Sequence, residues 1–131
     1  MPDPSLPPET LAALKQDLLA SLHCALPGRV ESYDPVSRSA VVRPMIRSAS
    51  GRSLPLLRDV PVFLPLPDLM SVSPGDFCLV VFADAAIDGW WATGQEADPV
   101  SPRRHDLSDA FAFTGFRPAP SALSGGDAAC P

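Results

Sequence analysis

Lysine is nearly absent from this chain: Lys15 stands alone against nine arginines in 131 residues. Cysteine is scarce as well, with Cys24, Cys78 and Cys130 far apart, odd in number and never in C-x-x-C spacing. A disulfide framework or thiolate metal site needs paired short spacings, so both are excluded. The cysteines read as two small buried hydrophobes, Cys24 and Cys78, and one tail thiol. Folding in a reducing compartment is the default expectation. No stretch approaches the roughly 20 apolar residues that a membrane-spanning helix requires. The opening Met1-Pro2-Asp3-Pro4 has no basic region and brings an acid at once, so no signal peptide is expected. A net basic field is missing too. The formal charge is −5, divided as seven basic and six acidic groups in residues 1–65 (+1) and three basic and nine acidic in residues 66–131 (−6). Nucleic-acid binders normally carry a basic surplus, and no nucleic-acid partner is expected.

What the chain does have is apolar residues, at 46%, and 17 prolines. That apolar content is too high for a disordered chain, and the prolines far exceed the average of about 5%. They cluster in residues 2–8, 55–74 and 99–131, which are therefore expected to be extended. The length suits one small domain, since domains usually run to roughly 100–150 residues. The expected organisation is a Pro-rich lead-in over 1–9, a helix over 10–26, a β domain over 28–117, and an Ala/Ser/Gly/Pro-rich tail over 118–131.

The helix rests on Leu11, Leu14, Leu18, Leu22 and Ala25, which recur at spacings of three and four, with Leu19 and Leu26 widening the stripe. Thr10 or Ser5 is expected to cap it and Pro27-Gly28 to stop it. Such a helix ahead of a β domain must dock on its own barrel or on a neighbouring subunit. After Gly28 the period becomes two. Strands are predicted over 29–33, 39–46, 60–64, 77–83, 90–93 and 110–116. In the second, Ala40, Val42, Pro44 and Ile46 share a face. Pro61 and Pro65 mark the third as an edge strand. The fourth is apolar on both faces, Phe77, Leu79 and Val81 on one and Cys78, Val80 and Phe82 on the other, so something must cover both sides. Five to six short strands without a βαβ crossover or internal repeat predict an all-β fold: a small antiparallel OB-type barrel preceded by one amphipathic helix.

Candidate chemistry is thin. His23 and His105 lie 82 residues apart. His105-Asp106 has the residue types of a catalytic dyad, but no Ser or Cys stands in a nucleophile setting such as G-x-S-x-G. Asp76, Asp84, Asp88, Asp106 and Asp109 flank strand ends. Two of them at a defined separation could work as acid and base on a sugar, but each sits at a predicted turn, where Asp caps backbone N–H groups. Arg29, Arg38, Arg43, Arg47, Arg52 and Arg58 fall on the first three strands and their loops, the oligonucleotide face of an OB barrel. Only Tyr33 and Phe63 offer stacking platforms there, which suits a protein partner at least as well. Trp90-Trp91, if on a strand, points one ring inward and one outward. No catalytic residue, cofactor or metal ligand is expected. The interface candidates are Leu11, Leu14, Leu18, Leu22, Val80, Phe82, Trp90 and Trp91.

Several segments occur in a fixed order: a short helix leading to Leu26-Pro27-Gly28-Arg29-Val30-Glu31-Ser32-Tyr33-Asp34, Ala40-Val41-Val42-Arg43-Pro44, Leu57-Arg58-Asp59-Val60-Pro61-Val62, the Gly75-Asp76 strand, Ile87-Asp88-Gly89-Trp90, and His105-Asp106-Leu107-Ser108-Asp109-Ala110. This series, over residues 12–118, resembles the N-terminal domain of the central-spike proteins of contractile phage tails. The resemblance implies a non-enzymatic virion protein of the tail baseplate, assembled in the host cytoplasm. It would be an OB-fold homotrimer that plugs the tail tube, binds the baseplate hub and holds the membrane-puncturing tip, touching the bacterial envelope only indirectly. Two departures stand out. Ala83-Asp84-Ala85-Ala86 replaces a segment that usually carries an arginine. The residues after Pro118 are few and lack the His-x-His pairs through which a spike apex binds iron, so a stunted spike or a separate tip protein is expected. The alternative is an OB-fold binding module for oligosaccharide or single-stranded nucleic acid; a cell-wall hydrolase ranks behind both.

Overall fold

Valines at alternate positions draw the centre of the chain into strands, because each strand then offers one face to a shared interior. The computed structural model describes residues 6–121. It contains α1 (Pro8–Ser21), β1 (Ala25–Asp34), β2 (Ser39–Pro44), β3 (Leu57–Phe63), β4 (Phe77–Phe82), α2 (Asp88–Thr93), β5 (Ala110–Phe116) and a 3-10 turn at Ala119–Ser121. The strands close into a barrel in the order β1-β2-β3-β5-β4, the five-stranded OB-type architecture expected. The barrel is mixed rather than antiparallel throughout, since β3 and β5 run parallel through Val62↔Ala112 and Phe63↔Phe113. A closed ring of five strands cannot alternate direction at every junction, so at least one neighbouring pair must be parallel.

Val30, Val42, Val60 and Val80 meet in the interior with Leu26, Ala40, Leu57, Val62, Cys78, Phe82, Ala110 and Ala112. Each fully buried valine contributes about 1.5–3 kcal/mol relative to exposure. The predicted face of β2 is buried at Ala40, Val42 and Pro44, but the strand ends at Pro44 and Ile46, expected on the same face, is exposed. On β4, Cys78, Val80 and Phe82 point in, while Phe77, Leu79 and Val81 are half-buried outside. Val80 and Phe82, expected at a subunit contact, are thus core residues. Burial pushes the Cys78 thiol up to about 11, whereas Cys24, expected to be buried, is exposed.

Other expectations are corrected by strand pairing. The helix ends at Ser21 because residues 25 and 26 are claimed by β4 through Ala25↔Val81 and Leu26↔Val80, which buries Leu26. Leu22 becomes its extended C-cap. Pro27-Gly28 does not stop the helix but lies inside β1, where a Cβ on Gly28 would stand 2.6 Å from Val42 Cγ1. Pro7 occupies the N-cap with no side-chain capping bond, so Thr10 does not cap. Most of the proline lead-in, Ser5, Cys130 and the tail beyond residue 121 lie outside the described residues. α1 buries no residue and packs on none of the strands.

β3 is not an edge, because β2 and β5 flank it. The strand predicted over 90–93 is the single helical turn α2. Asp88 opens it, and Gly94, at φ 69°, closes it with its N–H donated to the Trp90 carbonyl. A closed five-strand ring leaves no edge on which a sixth strand could pair.

Candidate functional site

Cross-strand register assembles an apolar band on the barrel's outside. Val81 sits opposite Ala25 on one side and Phe111 on the other, and Leu79 sits opposite Pro27 and Phe113. Phe77 pairs with Phe116 at one end of the band. Directly opposed side chains on one face have Cβ atoms about 4.5–5.5 Å apart, so these form one surface. Phe63 on β3 extends it, its ring 5.2 Å from that of Phe113. Trp90 extends it in the other direction, 5.9 Å from Phe111 and 6.1 Å from Trp91. On a helical turn the two indoles need not face opposite ways, and both are 45% exposed. The inward-and-outward arrangement expected of them is therefore corrected: neither ring fills the barrel.

A second apolar surface lies on α1. Leu11, Leu14, Leu18 and Leu19 are each about half exposed. Among the described residues, nothing in the chain's own barrel covers them. Leu22 stands beyond the helix, half-buried.

The long β4–β5 loop is held by a charged node. Asp109 is fully buried. Its Oδ1 accepts from the Ile87 N–H (3.1 Å) and from Arg103 Nη2 (2.8 Å), and its Oδ2 accepts from Arg103 Nε (3.0 Å). The same guanidinium reaches Asp88 Oδ2 at 3.2 Å, tying α2 to the barrel. These bonds, Asp109's first, hold Arg103 firmly protonated. Sequence reasoning passed over Arg103. The signal was available: a cation six residues before a carboxylate that opens a buried strand, in a chain whose 83–86 segment has no arginine.

The other aspartates divide by role. Asp76 Oδ2 accepts from the Ser73 N–H at 2.8 Å, and Asp106 Oδ1 accepts from the Ser108 N–H at 2.9 Å, so both cap turns. Asp106 is thereby kept below the ordinary carboxylate range, chiefly by the Ser108 backbone bond. Asp84 and Asp88 face cations rather than capping: Asp84 lies 3.6 Å from Arg104 and 3.2 Å from His105 Nε2, and Asp88 binds Arg103. His105 and Asp106 are sequence neighbours but not partners. Of the six arginines on the first three strands and their loops, Arg29 and Arg43 converge on Glu31 Oε1 at 3.0 and 2.9 Å and lower its pKa.

Among the described residues, no three His, Cys, Asp or Glu side chains stand close enough to hold a metal ion, and no helix is long and apolar enough to cross a membrane. Comparison with curated proteins gives no match. Residues 26–115, which carry β1 to β5 almost in full and leave α1 outside, match the family described as phage protein Gp138 N-terminal domain. That span is 90 of 131 residues (115 − 26 + 1), and the chain belongs to this family.

Proposed function

We propose that the chain is a structural component of a contractile phage tail: a homotrimeric OB-type plug and adapter at the distal end of the tail tube, joining the baseplate hub to the membrane-puncturing tip. Membership of a phage protein family supports a virion role. The observation that carries the finer reading is the pair of unmatched apolar surfaces, the leucine stripe of α1 and the aromatic band over β4 and β5. Contiguous exposed apolar area of this kind marks an interaction site. The two surfaces differ, so one copy's helix on the next copy's band is a head-to-tail contact. Such contacts close into rings when the rotation permits, whereas self-complementary patches give dimers. The resemblance to central-spike proteins supports a threefold ring. A barrel with no free strand edge suits a part that transmits force.

Light scattering on the full chain eluting from a sizing column tests this. The expected mass is three times 13.8 kDa, and Leu14→Asp with Leu18→Asp should reduce it to the monomer with an unchanged β-sheet spectrum. A monomer across micromolar concentrations, or a dimer, would overturn the reading.

A further inference from the structure

We propose that the cleft between the β2–β3 face and α2 is a binding groove for a neutral saccharide, a property beyond the adapter role. The cleft has a volume of about 570 Å³, within the roughly 300–1,000 Å³ of small-ligand sites. A bulge in β3 shapes one wall. Ala40 pairs with Val60 but Val42 pairs with Leu57, so β3 carries one extra residue there. The bulge turns both Arg58 and Asp59 outward, where a regular strand would send one of them into the core. Asp59 is held at φ 53°, a left-handed conformation that non-glycine residues rarely adopt. Among the described residues, neither side chain makes an ion pair or hydrogen bond. A donor fork and an acceptor pair therefore stand side by side, exposed, in the cleft's lining.

Trp91 forms the other wall and is half exposed. The Ser37 and Ser39 hydroxyls line the floor, 2.7 Å apart. The charges leave no cationic surplus: Arg58 stands against Asp59, and Arg103, outside the lining, is shared between Asp88 and Asp109. A sugar ring meets each of these features. Its C–H face stacks on an indole, and its hydroxyls donate to a carboxylate and accept from a guanidinium. The turn after β1 and the β4–β5 loop flank the cleft, which is the ligand side of an OB-type barrel. An oligonucleotide would need a cationic track and successive stacking rings; the cleft is lined by one aromatic ring and has no cationic surplus.

The test is an NMR titration of the full, isotope-labelled chain with neutral tetrasaccharides of glucose, galactose, mannose and N-acetylglucosamine, and with octathymidylate. At least one tetrasaccharide should saturably shift the Arg58 and Asp59 amides and the Trp91 indole N–H. Trp91→Ala and Asp59→Gly should each weaken that binding by about tenfold or more. Glycine accepts the local backbone conformation, so the second variant removes the carboxylate while keeping the fold. The proposal is overturned if no tetrasaccharide shifts these signals at millimolar concentration, if binding survives both substitutions, or if octathymidylate alone moves them. Oligomeric mass is read separately, so failure here leaves the adapter reading standing.

Discussion

Asp109 does more than end a turn. Replacing it with Ala removes three accepted bonds, leaves the Ile87 N–H without its partner and leaves the Arg103 guanidinium with Asp88 alone in a largely closed site. Breaking a buried pair costs about 3–5 kcal/mol, and the partial exposure of Arg103 reduces this to about 2–4 kcal/mol. Asp76→Ala loses a single exposed bond to Ser73, about 0.5–1 kcal/mol. Urea melts should separate the two variants clearly; equal losses would count against the node. Three carboxylates give the molecule an acid limb. Bonds from Arg29 and then Arg43 lower the pKa of Glu31, and backbone N–H groups of Val36 and Ser108 lower those of Asp34 and Asp106. A carboxylate depressed in the folded state contributes stability above its unfolded value, and that contribution is lost as pH falls through the folded value. Stability should therefore decline below about pH 4, and Glu31→Gln should flatten that acid limb in urea midpoints taken across pH. The turn-capping roles of Asp76 and Asp106 were legible in the sequence because such caps form within a few residues. The Arg103–Asp109 bond was not, since it depends on how a whole loop folds back.

At the scale of elements, local pattern and tertiary pairing compete. β5 was legible to the residue, and so were the two faces of β2 and β4, because alternation against a shared core leaves one solution. The junction between α1 and β1 was not. The leucine period runs on through Leu26, but pairing with β4 outweighs helical propensity there. Gly28 shows what that pairing demands. An added methyl would meet Val42 Cγ1 at 2.6 Å, Val80 Cγ2 at 3.0 Å and Cys78 Sγ at 3.2 Å, three side chains of a packed interior. Gly28→Ala should destabilise the barrel by about 1–3 kcal/mol through overpacking, read as a lower thermal midpoint. A neutral or stabilising result would mean that the space beside Gly28 relaxes freely. α2 was misread for a related reason: Trp-Trp suits a strand, but the Asp88 and Gly94 signals at its ends suit a single helical turn.

For the molecule as a whole, the core and the leucine stripe of α1 occupy different parts of the chain. Every residue of the hydrophobic core lies between Leu26 and Ala112, and α1 buries none. Removing residues 1–21 should therefore leave the barrel folded, because its five strands and their closure are intact. The same removal takes away the leucine stripe, one side of the proposed head-to-tail contact. Association stabilises a folded chain by mass action, so the melting midpoint of an assembling protein rises with its concentration. The full chain should show that rise, and the truncated chain should melt at one temperature whatever its concentration and sediment as a monomer. A truncated chain that still assembled would move the contact onto the aromatic band alone. One that failed to fold would show that the barrel of an isolated copy, with Phe77, Leu79 and Val81 only half covered, depends on the helix of its neighbour for its own stability.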